Sequence, residues 1–297
     1  MEDFYHKFIA SDGTEISYVD MGEGKPLLFV HGFGGSSQLQ IPIFELLKNN
    51  FRCLCFDQRG YGQTSANGEV GIYRSAKDAK ELIEHLGIED VIFLGYSMGA
   101  AVMFAYIEQF GCTHLAKTII GEMTPKVVND DEWHFGLYQG WYTKEQLEKD
   151  IYNMENGKYD EFNIIFAVQT FFKHTPDEKR EFDLKNIDVS SLLEKAGAGR
   201  PTLEALLTVS EEQKKSNVIY WKDMTKADFR KTLENITVPT AIIYAVPGSI
   251  YDERAAKYMA EKIKNSTLYR YDDCTHMAKN EHLNQFIANI NEFSYND

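Results

Sequence analysis

The chain has 297 residues, 43% of them hydrophobic and 13% aromatic, enough to bury a large core as one enlarged domain or as a domain with an insertion. A formal net charge of -14 and a pI near 5.1 would repel phosphate backbones and anionic membrane surfaces. No Lys/Arg cluster offers a local exception, so neither nucleic acid nor membrane is an expected partner. Glu2 and Asp3 stand where a signal peptide would carry bases, and no apolar run is long enough to span a bilayer. The expectation is a soluble cytoplasmic protein, in which Cys53, Cys55, Cys112 and Cys274, lacking any CxxC or zinc spacing, are free thiols.

In chain order, residues 4–31 read as two hairpin-forming strands and a third, with turns at Asp12-Gly13 and Gly22-Glu23-Gly24. The buried run Leu27-Leu28-Phe29-Val30 ends in His31-Gly32-Phe33-Gly34-Gly35, where successive glycines let backbone N–H groups turn toward a ligand, as a developing oxyanion requires. Residues 42–49 form a short helical pattern and 51–56 a strand. Asp57-Gln58-Arg59-Gly60-Tyr61-Gly62 then reads as a structural turn at the rim of the site. Residues 72–86 carry Ile72, Ala76, Ala79, Leu82, Ile83 and Leu86 at helical spacing before a stop at Gly87.

The strand-like run Val91-Ile92-Phe93-Leu94 leads into Gly95-Tyr96-Ser97-Met98-Gly99, and a helical pattern opens directly behind it. Strand, sharp turn and helix with serine at the apex describe a nucleophile elbow, and the glycines are needed because the turn brings backbones too close for side chains. Another apolar strand, 115–120, leads to Gly121-Glu122. Between 123 and 237 the strand and helix alternation gives way to aromatic residues in charged, helix-favouring surroundings, including all three tryptophans, Trp133, Trp141 and Trp221. The alternation resumes with strand 240–245, helix 253–263, strand 267–271 and a last amphipathic helix carrying Leu283, Phe286, Ile287 and Ile290.

Such alternation predicts an α/β protein with a mostly parallel central sheet flanked by helices. Loops at the carboxyl ends of its strands gather in one crevice, which collects the Gly32–Gly35 loop, Ser97, Glu122, the loop after Ala245 and Asp272-Asp273-Cys274-Thr275-His276-Met277. A serine hydroxyl needs a base near neutral pH, and His276 follows a late strand and precedes the final helix. His31 shapes the glycine loop, while His85, His114, His134, His174 and His282 read as surface residues, His282 one turn inside the last helix.

In these motifs and their order the chain resembles the α/β-hydrolases that carry a helical cap. The resemblance implies a core of residues 1–122 and 238–297 and a cap insertion of residues 123–237. It implies Ser97 as nucleophile, His276 as base, and the backbone N–H groups of Phe33 and Met98 as the oxyanion hole. Members with aspartate at the elbow are dehalogenases and epoxide hydrolases, so serine argues for acyl transfer, chiefly ester hydrolysis. The pattern departs at the third member. Most of the family place the acid shortly after the strand matching 241–245, and there this chain has Gly248. Some haloalkane dehalogenases carry it after the preceding strand, which corresponds to Glu122; Asp252, also fitted to be a helix N-cap, is the second candidate, and a site without a functional acid is the third.

The expected function is therefore a serine hydrolase working through an acyl-enzyme with Ser97, His276 and Glu122, without cofactor or metal. Its substrate is a small or medium carboxylic ester with an apolar portion, walled from above by Trp133, Trp141 and Trp221. C–C bond or thioester hydrolysis and a cofactor-free haloperoxidase-like side activity are rival chemistries. A non-catalytic ligand-binding protein of the same fold, motivated by Gly248, is the rival of another class. The natural substrate and the oligomeric state stay open.

Overall fold

The computed structural model describes residues 4–172, 187–247 and 249–296. Strands β1 (Tyr5–Ile9) and β2 (Glu15–Met21) pair antiparallel across the Asp12-Gly13 turn, followed by β3 (Lys25–Val30), β4 (Phe51–Phe56), β5 (Val91–Tyr96), β6 (Leu115–Gly121), β7 (Thr240–Pro247) and β8 (Ser266–Cys274). They form one sheet in the order β1-β2-β4-β3-β5-β6-β7-β8. The β2–β4 pair is antiparallel and every pair from β4 to β8 is parallel.

Helices α1 (Ile41–Leu47), α2 (Ile72–Leu86) and α3 (Met98–Phe110) connect the first half of the sheet. Between β6 and β7 lie α4 (Lys144–Glu155), α5 (Tyr159–Phe171), α6 (Val189–Lys195), α7 (Arg200–Leu207) and α8 (Glu211–Lys226). The chain closes with α9 (Glu253–Lys262), α10 (Ala278–Glu281) and α11 (Leu283–Tyr295).

Alternation along the central strand shows why the sheet is covered twice. Phe93 belongs to the apolar cluster that includes Ala79, Leu82 and Ile83 of α2 and Phe104 of α3, whereas Ile92 and Leu94 belong to the cluster that includes Phe44 of α1 and Phe286 and Ile290 of α11. A strand buried on both faces must be continuously apolar, and every residue of β5 is buried. At the C-terminal end of α2, Gly87 adopts φ 59° and returns its N–H to Ile83 and Glu84 carbonyls, ending the helix at the residue the spacing predicts.

The turn after β4 is structural, as its sequence suggests. The fully buried Arg59 bridges Asp78 of α2 at 2.8 Å and also pairs with Asp12 in the first hairpin turn. Asp57 accepts from Ser37 N at 2.7 Å and Gln63 N at 2.8 Å, tying two loops to the end of β4.

Several boundaries differ from the sequence reading. Helix α1 ends at Leu47, two residues early, where Asn50 N turns back to the Leu47 carbonyl. Strands β7 and β8 run on to Pro247 and Cys274 because Val246 still pairs with Asp272 and Pro247 with Cys274. His282 lies at the break between α10 and α11 rather than inside the last helix. All four cysteines are free thiols, and burial pushes Cys53 up to about 12. Among the described residues no helix is long and apolar enough to cross a membrane.

Candidate active site

Parallel register brings four strand ends together: Val30 stands beside Gly95, Tyr96 beside Gly121, and Gly121 beside Ile243. Ser97 sits in the gap between β5 and α3 with φ 55° and ψ −128°, a region that L-residues enter only when their surroundings enforce it. The enforcement is visible. Ser97 N donates to the Gly121 carbonyl at 2.8 Å, and Ala100 N donates to the Ser97 carbonyl at 2.8 Å. A Cβ at Gly95 would strike the Gly99 carbonyl and Ala100, and one at Gly99 would strike the Val30 carbonyl. Both glycines are thus required by close backbone approach.

His276 is brought to Ser97 by the turn after β8. Its Nε2 lies 2.9 Å from Ser97 Oγ and its Nδ1 3.1 Å from Glu122 Oε2. Tyr96 Oη donates to the His276 carbonyl at 2.8 Å, and the Tyr251 ring packs edge-on against the imidazole at 5.5 Å. Thr275 N and Oγ1 both donate to Glu281, fixing the turn from the other side. A carboxylate facing Nδ1 holds the proton there and leaves the Nε2 lone pair to accept from the serine hydroxyl; this tautomer follows from the hydrogen-bond network.

Glu122, 2% exposed, occupies the first position beyond β6 at φ 47°, with its N–H donating to the Ile243 carbonyl at 3.0 Å. Its Oε1 accepts from Ala245 N at 2.6 Å, and its Oε2 accepts from Ser249 Oγ as well as from His276. Donors thus reach both oxygens, as burial of so polar a group requires. Asp252 is elsewhere: it caps α9, accepting from Arg254 N at 2.8 Å and pairing with the Arg254 guanidinium. Gly248, in the usual position of the acid, and His174 lie outside the described residues.

The loop after β3 passes over the serine so closely that a Cβ on Gly32 would meet Ser97 Cβ at 3.0 Å. Gly35 N closes the loop on the Gly32 carbonyl at 3.0 Å. His31, buried beneath it, accepts from Gln58 N at 3.2 Å through Nε2 and donates from Nδ1 to the Gly32 carbonyl at 2.9 Å. Burial lowers its pKa, so it serves as a neutral strut. Phe33 follows on this loop, and Met98 opens α3, where first-turn N–H groups have no partner within the helix.

A cavity with about 500 Å³ of empty space, including its mouth, opens over Ser97. Phe33, Phe166, Phe171, Leu206 and Met277 form much of its wall, with Gln40 and Lys279 at a polar corner. The tryptophans do not line it, contrary to the sequence expectation. Trp133 is buried against Phe135 and Tyr258, with its indole N–H donating to the Lys126 carbonyl at 2.8 Å. Trp141 is 44% exposed. Trp221 is fully buried behind the wall, 5.4 Å from the Phe33 ring and 5.3 Å from Phe166, and donates to Tyr142 Oη at 2.9 Å. The apolar wall is instead made by Phe33 and Met277 of the core together with Phe166 and Phe171 of α5 and Leu206 of α7. Sequence reasoning does not assign Ser249, Gln40 and Lys279 to the site, because only the folded chain brings them there. Among the described residues no group of three or more His, Cys, Asp or Glu is arranged to hold a metal ion.

Residues 25–283 match a family described as the alpha/beta hydrolase fold. A non-heme haloperoxidase of Rhodococcus erythropolis is 34% identical over 131 residues, 43% of this chain and 48% of that protein, so the likeness spans about half of each. An AB hydrolase superfamily protein of Bacillus subtilis, YisY, is 26% identical over 275 residues, covering 91% of this chain and 92% of the relative. In structure, an esterase from Exiguobacterium antarcticum superposes with a TM-score of 0.79 at 21% identity, covering 98% of this chain and 99% of its own. That last likeness concerns the fold.

Proposed function

Because this chain belongs to the α/β-hydrolase fold family, we propose that it is a serine hydrolase that cleaves small to medium carboxylic esters through an acyl-enzyme. The observation that carries the reading is the unbroken hydrogen-bond chain from Ser97 Oγ through His276 to the buried Glu122, at the foot of an apolar cavity. In this reading His276 Nε2 takes the Ser97 proton as Oγ attacks the ester carbonyl. Negative charge gathers on the carbonyl oxygen and is met by the backbone N–H groups of Phe33 and Met98. Glu122 stabilises the imidazolium, which then protonates the departing alkoxide. Water, deprotonated by the same imidazole, releases the acid and restores Ser97.

The helices between β6 and β7 act as a cap: Phe166 and Phe171 of α5 and Leu206 of α7 receive the apolar part of the substrate. Gly248 in the usual place of the acid motivates the non-catalytic reading; the bond between His276 and Glu122 speaks for catalysis. Likeness to a non-heme haloperoxidase favours a side activity in which hydrogen peroxide, in place of water, attacks the acyl-enzyme and yields a peracid. A panel of p-nitrophenyl esters of rising acyl length tests the main reading. Short and medium esters should turn over, and Ser97→Ala should lower kcat by about 10⁴-fold or more. No turnover of any ester, or equal rates in wild type and Ser97→Ala, would refute it.

A further inference from the structure

An ammonium taken out of water needs an anion or a full set of acceptors. Lys279 is only 6% exposed, yet among the described residues no carboxylate lies within ion-pair distance of its Nζ. Nζ donates to Gln40 Oε1 at a long 3.5 Å and stands 5.6 Å from the centroid of the Tyr96 ring. Gln40 is itself 3% exposed, and its Nε2 donates to the Ser36 carbonyl at 3.1 Å, which commits the amide nitrogen elsewhere and turns Oε1 toward the lysine. Burial lowers the pKa of His31 and raises that of the Cys55 thiol and the Tyr96 phenol, so these neighbours supply no negative charge, and the carboxylates of Asp57 and Glu122 are taken up by donors of their own. Burial also brings Lys279 down to about 8, which leaves it mostly cationic at neutral pH.

Lys279 and Gln40 both line the cavity that contains Ser97 and His276. They meet there, whereas Phe33, Phe166 and Leu206 make much of the wall apolar and Thr170 and Thr202 add only neutral hydroxyls. We propose that Lys279 and Gln40 form a carboxylate subsite, and that the substrate is an ester bearing a free carboxylate beyond its scissile bond, such as a monoester of a short dicarboxylic acid. The ester half of this inference rests on the serine-hydrolase reading; the carboxylate half rests on the cavity alone. A bound carboxylate supplies Nζ with the charged acceptor that the protein lacks, and a charge-assisted bond in a desolvated corner is strong enough to select for it.

Binding to Ser97→Ala protein separates the two halves. Monomethyl glutarate is compared by calorimetry with methyl 5-methylhexanoate, whose isopropyl group replaces the carboxylate. The acid should bind at least about tenfold more tightly, and Lys279→Met in the same background should erase the preference. Should Lys279→Met fail to fold, Gln40→Leu should reduce the preference in its place. Equal affinity for the two ligands, binding of neither, or a preference that survives Lys279→Met in folded protein would overturn the subsite. Wild-type protein that binds the acid selectively but hydrolyses neither these two esters nor any p-nitrophenyl ester would support the subsite and refute the hydrolase reading.

Discussion

Replacing Glu122 by glutamine changes one atom and should disable the site. The carboxylate accepts from Ala245 N at 2.6 Å, from Ser249 Oγ and from His276 Nδ1 at 3.1 Å. Ala245 N–H is held in β7 and cannot turn away, so it fixes the amide oxygen at the Oε1 position. The amide nitrogen must then occupy the Oε2 position, donor against the Nδ1–H of His276. The imidazole escapes this clash by carrying its proton on Nε2 instead, 2.9 Å from Ser97 Oγ, where it can no longer accept the serine proton. Loss of the correct tautomer in this geometry costs about 10⁴-fold in kcat, equivalent to about 5.5 kcal/mol of transition-state stabilisation. Steady-state hydrolysis of p-nitrophenyl butyrate measures the loss, and a thermal melt checks that the fold survives. A Glu122→Gln protein within tenfold of wild type, or an Asp252→Asn protein that is equally crippled, would refute the reasoning.

Three further outcomes follow from the same geometry. Asp252→Ala should cost about 1 kcal/mol in denaturant unfolding, through loss of the α9 cap, and leave kcat within about twofold. Trp221→Ala should destabilise by about 3–5 kcal/mol and shift the acyl-length preference of kcat/KM, because Phe33 and Phe166 lean on it; Trp141→Ala should stay within about 0.5 kcal/mol and leave the preference unchanged. Burial raises the carboxyl of Asp150 from its usual 3.8 to about 6, so the folded state holds this proton longer than the unfolded chain and loses stability as pH rises between those values. Asp150→Asn should therefore show a stability gain over wild type that grows across that window to at most about 3 kcal/mol and is flat above it, and a gain independent of pH would contradict the assignment.

What could be read from the sequence was governed by local geometry. Helix α2 is legible to the residue because its apolar spacing ends at a glycine with positive φ. The elbow is legible because Gly95 and Gly99 are required by backbone contacts that any side chain would break. Glu122 can be named because the resemblance to some haloalkane dehalogenases points to the residue directly after this strand, whose neighbour β7 ends at the same crevice. The tryptophans lie away from their expected place because burial and aromaticity do not say which way a ring points. Trp133 lies in irregular chain with no periodicity, and Trp221 turns to the back of the wall formed by Phe33 and Phe166. Lys279 and Gln40 meet across 239 residues of sequence, a contact no local pattern carries. Ser249 is equally hidden, since its bond to Glu122 depends on the path of the loop after β7.

Mass spectrometry of the protein treated with a fluorophosphonate tests the central claim most directly. The strained, base-paired Ser97 should form a single phosphonyl adduct within minutes, located to its tryptic peptide, and the adduct should disappear in Ser97→Ala and form far more slowly in Glu122→Gln. Labelling at another residue, or an unlabelled Ser97 in folded protein, would contradict the account.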